Sequence, residues 1–127
     1  MTPLALLMHR EIEQIPRETT LLAAAQRMRD RRIGALLVTD GKKPIGILSE
    51  SDLVRRALAE GVEPKGVTVE TIMSRPILSI DIDRTAWEAN DLMAARGVRH
   101  LAVTDGERGI VGILSVRDLV LCFKNRL

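Results

Sequence analysis

An α+β fold is predicted: two tandem β-α-β-β-α units, packed sheet to sheet with pseudo-twofold symmetry. Three observations predict it. The first is an internal repeat. At a shift of 65, Met8 falls on Met73, Arg10 on Arg75, Ile12 on Ile77, Ile15 on Ile80, Thr20 on Thr85, Ala24 on Ala89 and Met28 on Met93. The second is that short apolar runs alternate with helical periodicity inside each copy. The third is composition: 46% of residues are apolar but only 2% aromatic, so Leu, Ile, Val, Ala and Met build the core. That bias favours strands between helices over an aromatic-rich β-sandwich. A unit of about 60 residues buries too little surface to be comfortably stable alone, so two would share one core.

The elements follow in order. Residues 1–7 form an arm in which Leu4, Leu6 and Leu7 anchor a short turn. Ile12 and Ile15 lie in a short extended piece that ends at Pro16. Thr19 or Thr20 caps a helix whose apolar face is Leu21, Ala24, Ala25 and Met28, and Gly34 is expected to stop it. Ala35 to Thr39 reads as a buried strand, Asp40-Gly41 as a hairpin signal, and Pro44 to Leu48 as the returning strand. Ser49 opens a second helix with Leu53, Val54, Ala57 and Leu58 on its apolar face, ended by Gly61. Gly61 to Gly66 is the linker. The first repeat is therefore placed at 1–65 and the second at 66–127, with Pro76 marking the start of the second repeat's first strand. The second hairpin carries one more residue, so the shift becomes 66 beyond it, as a loop tolerates.

One stretch stands out because it occurs twice. Gly46-Ile47-Leu48-Ser49 with Asp52 returns as Gly112-Ile113-Leu114-Ser115 with Asp118. Ser-x-x-Asp before an apolar helical run is close to a capping box, worth roughly 1 kcal/mol per helix. A single copy is more often a cap than a binding site. The functional reading adds that Gly46 and Gly112 let another group approach the strand backbone. Ser49 and Ser115 place a hydroxyl beside free helix N–H groups, suited to phosphate or ribose oxygens. Asp52 and Asp118 are placed to accept hydrogen bonds from both hydroxyls of a ribose. One residue can cap the free helix and also hold a ligand.

A tandem β-α-β-β-α pair with Gly-h-h-Ser-x-x-Asp in both halves (h, apolar) resembles the CBS-domain pair, or Bateman module, from about Met8 to the C-terminus. Ile33 to Val38, Thr71 to Ser74 and Val98 to Val103 support the resemblance. It implies binding of adenosyl ligands such as AMP, ADP, ATP, NAD(H) or S-adenosylmethionine in clefts between the repeats. It also implies regulation of another protein, pairing into a homodimer, no catalysis and no required cofactor. Residue by residue, Asp52 and Asp118 match the family's ribose-binding aspartates, and Ser49 and Ser115 its hydroxyl position. Gly34-Ala35 and Arg99-His100 match the entry to the second strand, and Ile12 and Ile77 the first-strand region beside the adenine. The repeats differ at that entry: Arg99 can fork onto a phosphate and His100 can hydrogen-bond it, whereas Gly34 and Ala35 offer only backbone. Arg99 and His100 could serve a ligand whose ribose is held by either aspartate; because the first repeat has no counterpart to them, unequal sites are expected. Glu11 stands where the second repeat has Pro76, and Ala102 where the family often has proline.

Other classes fit less well. Net charge is +2, from nineteen basic and seventeen acidic residues, too small an excess for a nucleic-acid footprint. The Arg27 to Arg32 cluster reads as a solvated face, and His9 as surface. Two histidines and one cysteine without clustered spacing argue against a metal site, and Cys122 alone fits a reducing, cytoplasmic setting. No nucleophile–base pair or phosphate-cradling loop motif points to an enzyme. Trp87 is expected half-buried, or at a dimer contact. The competing reading is a structural interaction and dimerisation module whose pockets are degenerate.

Overall fold

The computed structural model describes residues 2–124. Two compact units result: one is Glu13–Ile77, and the other joins Met1–Ile12 to Leu78–Leu127, so far as these are described. The packing units thus differ from the sequence repeats. The stretch before each repeat's first strand folds with the strands of the other repeat.

In the unit Glu13–Ile77, β1 (Gln14–Pro16) runs parallel to β2 (Ala35–Asp40), which pairs antiparallel with β3 (Lys43–Ser49). Helix α2 (Leu21–Arg31) connects β1 to β2. Thr20 is its cap, its hydroxyl accepting the Ala23 N–H at 3.1 Å. The helix does not run on to Gly34. Arg32 turns left-handed at φ 54, and the Ile33 N–H closes onto the Met28 carbonyl at 3.1 Å. A left-handed arginine costs roughly 1–2 kcal/mol against a glycine; the aligned position of the other repeat is Gly97, at φ 64. Leu21, Ala24 and Met28 face a core with Ile15, Leu36, Val38, Leu48, Val69 and Ile72.

The arginines on the far side of α2 have acidic partners. Arg27 and Arg31 reach Glu13, at 2.7 and 3.5 Å. A hydrogen bond from Arg29 holds the Asp30 carboxyl below its usual range.

After Ser49 the chain makes one α-turn, α3 (Glu50–Asp52), then widens into a π-helix over Leu53–Leu58. The Ala59 N–H reaches the Val54 carbonyl and the Val62 N–H that of Ala57, each five residues back. The apolar face of this stretch is narrow. Ala57 is buried and Leu53 partly so, but Val54 and Leu58 are exposed, against the expectation that all four face inward. Helix α4 (Val69–Ile72) precedes the second repeat's first strand and packs on this unit.

The unit of residues 2–12 and 78–124 is built alike. It contains α1 (Leu4–Leu7), β4 (Ser79–Asp81), α5 (Ala86–Arg96), β5 (His100–Asp105), β6 (Gly109–Ser115) and α6 (Val116–Lys124). Its sheet has the order β4-β5-β6, with a parallel and then an antiparallel pair. Strand β4 begins at Ser79, three residues after Pro76, which follows a cis peptide bond. Leu4 and Met8 join Ile80, Ala89, Met93, Leu101, Val103, Leu114 and Leu119 in the core. Thr85 and Glu88 form a full capping box at α5, and the Thr85 N–H lowers the Glu88 carboxyl's pKa. The extra hairpin residue is accommodated at 106–108, where Gly109 takes φ 79 and Asp105 accepts the Glu107 and Arg108 N–H groups.

Candidate functional site

Each unit carries one strand-to-helix corner, and the repeated motif forms it. At the end of β3 the Ser49 hydroxyl accepts the Asp52 N–H at 3.2 Å, and Asp52 Oδ2 accepts the Ser49 N–H at 2.9 Å. At the end of β6, Ser115 Oγ accepts the Asp118 N–H at 3.2 Å, while Asp118 Oδ2 accepts the Ser115 N–H at 2.8 Å and the Ser115 O–H at 2.9 Å. Both motifs are therefore genuine capping boxes. The backbone carbonyls of Gly34 and Arg99 accept the next helix N–H, from Glu50 at 3.0 Å and Val116 at 2.8 Å. Ala35 pairs with Ser49, and His100 with Ser115, across the sheet.

The structure thus gathers Gly34, Ala35, Gly46, Ser49 and Asp52 at one corner and Arg99, His100, Gly112, Ser115 and Asp118 at the other. Arg99 is exposed and His100 partly buried. Ile12 and Ile77 lie two residues before their strands rather than in them, and each folds in the unit opposite to its repeat.

The glycines have an occupant within the chain. A Cβ on Gly46 would lie 2.5 Å from Met73 Sδ and 3.0 Å from the Ser74 carbonyl; one on Gly112 would lie 2.5 Å from Met8 Sδ and 3.1 Å from the His9 carbonyl. The group that approaches the strand backbone is the segment preceding a first strand. It is fixed there by paired backbone bonds, Ile47 with Ser74 at 3.0 and 2.8 Å and Ile113 with His9 at 3.0 and 2.9 Å.

That segment also brings a polar side chain to each aspartate. The Ser74 hydroxyl donates to Asp52 Oδ1 at 3.0 Å, and His9 Nε2 lies 3.1 Å from Asp118 Oδ1. His9 is exposed, as expected, but it is also a partner of a motif aspartate, which sequence reasoning missed. The repeat held the signal, since the shift that sets Met8 on Met73 sets His9 on Ser74. Arg56 was missed as well. Its guanidinium donates to the Ile72 and Met73 carbonyls, both at 3.1 Å, satisfying the C-terminal end of α4, and its Nε lies 3.9 Å from Asp52 Oδ1.

Asp52 is only 8% exposed and the Asp118 side chain 12%, yet neither carboxylate is used up. A carboxylate offers about four acceptor directions. Asp52 fills two with Ser49 and Ser74; Asp118 fills three with Ser115, twice, and His9. What remains can accept hydroxyl hydrogens from a ligand. Among the described residues no three His, Cys, Asp or Glu side chains group to hold a metal ion, and no helix is long and apolar enough to cross a membrane.

Comparison with known proteins agrees with the tandem repeat and its fold. The family model described as CBS domain matches twice, at residues 5–59 and 69–125. The chain is 34% identical over 102 residues to an uncharacterized protein of Methanopyrus kandleri, covering 80% of this chain and 52% of that one. It therefore spans about half the length of that relative. It is 31% identical over 120 residues to hypoxic response protein 1 of Mycobacterium tuberculosis, covering 94% and 83%. A solved structure of a protein with CBS domains from Burkholderia ambifaria superposes with a TM-score of 0.91 at 30% identity, covering 96% and 93%.

Proposed function

The chain belongs to the CBS-domain family, and from that premise we propose that it is a non-enzymatic regulatory module that senses an adenosyl ligand. The observation that carries this reading is the duplicated corner: a carboxylate, buried at Asp52 and largely so at Asp118, with unfilled acceptor directions and held by its own capping box. A vicinal diol meets that carboxylate as a hydrogen-bond donor pair. AMP, ADP, ATP, NAD(H) and S-adenosylmethionine all carry that diol, and no cofactor beyond the ligand is needed. Arg99 and His100 supply a cation and an imidazole for phosphate at one strand entry, where the other has Gly34 and Ala35. The module works in the cytoplasm and passes its state to a separate protein.

One feature favours the competing structural reading: each aspartate already caps its helix and holds a side-chain partner from the docked segment, so the corners stand as caps without a ligand. A thermal-shift screen of ligand-stripped protein separates the two readings. A sensed ligand at 100 times its dissociation constant adds about 2.7 kcal/mol to stability. An unmoved transition with every one of these ligands at millimolar concentration overturns the sensor reading.

Self-association belongs to either reading. Trp87 stacks on Phe123, ring centroids 4.3 Å apart, yet stays 51% exposed, and Val120 and Leu121 beside Phe123 on α6 are exposed too. Aromatic and aliphatic surface of this kind is what an interface core buries. A protein of this fold at 25% identity, with a TM-score of 0.84, is described as hexameric CBS-CP12. Sedimentation velocity is expected to show a homodimer that Trp87→Asp shifts towards monomer; the same sedimentation coefficient for both proteins would place the interface elsewhere.

A further inference from the structure

We propose that His9 is a latch on the Asp118 corner that makes the two corners differ in their demand for a vicinal diol. The inference rests on the reading that these aspartates receive the ribose of an adenosyl ligand. Both carboxylates cap their helix by accepting the serine N–H, but Asp118 alone also accepts the serine O–H, and the two differ further in the side chain that meets Oδ1. Asp52 Oδ2 accepts one hydrogen bond and Oδ1 one, from the Ser49 N–H and the Ser74 hydroxyl, while Arg56 Nε stands 3.9 Å from Oδ1, an ion pair beyond hydrogen-bond reach. Each oxygen keeps one direction for a ligand hydroxyl, which is the pattern that a 2′,3′-diol fits. Asp118 Oδ2 is filled by the N–H and O–H of Ser115, and Oδ1 is shared with His9, so a single direction remains.

The two partners also differ in kind. A serine hydroxyl both donates and accepts, so Ser74 can stay in place and accept a bond from the incoming ribose. The His9 Nε2–H facing a carboxylate can only donate. Its ring must leave Oδ1 before a second ligand hydroxyl can reach that atom. The surroundings permit this. The His9 backbone is pinned to Ile113 by two bonds, at 2.9 and 3.0 Å, but its side chain is 68% exposed and can rotate into water. The Asp52 corner is therefore a diol site as it stands. The Asp118 corner takes one hydroxyl with the latch closed and two with it open.

Titration calorimetry with AMP and 2′-deoxy-AMP, on the full chain stripped of carried-over ligand, tests this. Asp118→Asn isolates the Asp52 corner and Asp52→Asn isolates the Asp118 corner. The 2′-hydroxyl is expected to be worth about tenfold in affinity at the Asp52 corner, as for one bond to a charged group, and less than about threefold at the Asp118 corner. Adding His9→Ala to Asp52→Asn raises the AMP to 2′-deoxy-AMP ratio to about tenfold. Adding His9→Asn instead, whose amide can still donate to Oδ1, keeps it low. The latch is overturned if the Asp118 corner already discriminates tenfold with His9 present, or if His9→Ala leaves its ratio unchanged. Failure of the wild-type protein to bind either nucleotide overturns the corners as AMP sites, and the latch with them, while the sensor reading stands or falls on the wider ligand screen.

Discussion

Gly46→Ala and Gly112→Ala are each expected to lower stability by about 1–3 kcal/mol, seen as a lower urea midpoint with an unchanged slope. The added methyl would stand 2.5 Å from the sulfur of Met73 or Met8. A methionine side chain can swing away, because it is unbranched and adaptable. The carbonyl behind it cannot. Ser74 O and His9 O lie 3.0 and 3.1 Å from the new atom, and each is held by a bridge to β3 or β6. Relief requires the segment to give by a few tenths of an ångström, which strains the paired backbone bonds and the contact of Ser74 or His9 with its aspartate. Gly106→Ala is the control: it sits in a hairpin loop with nothing within 4 Å of the added atom, and its effect should stay within about 0.5 kcal/mol. Equal midpoints for Gly46→Ala and Gly106→Ala would show that the close approach of Met73 carries no energetic weight.

Asp52→Ala should lose both stability and ligand. The Ser49 N–H and the Ser74 hydroxyl lose their acceptor in a part-buried setting, at a cost of about 1–3 kcal/mol. Affinity for an adenosyl ligand at that corner should fall at least about tenfold, since a carboxylate bond to a neutral donor is worth more than a neutral pair. Asp118→Ala should do the same at its own corner, leaving the His9 imidazole without its carboxylate. Urea unfolding with and without saturating AMP decides what the residues are for. If the loss of stability is the same in both conditions, the aspartates are caps and the structural reading prevails. A larger loss with AMP present shows that they also hold ligand.

The pair of Ser-x-x-Asp motifs was legible because a capping box is local. Its donor and acceptor lie three residues apart, so identity and spacing suffice to place them. The helix α2 terminus shows the limit of the same reasoning. Gly34 is the natural stop from the sequence, but the left-handed turn falls at Arg32, where the Ile33 N–H closes onto Met28 and where the other repeat has Gly97. The apolar face expected to include Val54 and Leu58 is narrower than four residues: Leu53 and Ala57, four apart, face the core, and Val54 and Leu58, each one position further on, face away from it. The purpose of Gly46 and Gly112 was half legible. A close approach was expected, and Met73 and Met8 are what approaches.

By itself the sequence determined the α+β class, the tandem repeat, nearly every strand and helix, and the two corners where a carboxylate caps a helix. All of these rest on interactions within a few residues, or on a periodicity that one chain displays. Tertiary structure alone decided which segment docks on which corner. His9 meets Asp118, 109 residues away, and Ser74 meets Asp52, 22 residues away. Contacts of that span depend on how strands pair and where the chain crosses, and no local spacing encodes them. That choice makes two nearly identical motifs chemically unequal, with a hydroxyl facing one aspartate and an imidazole facing the other.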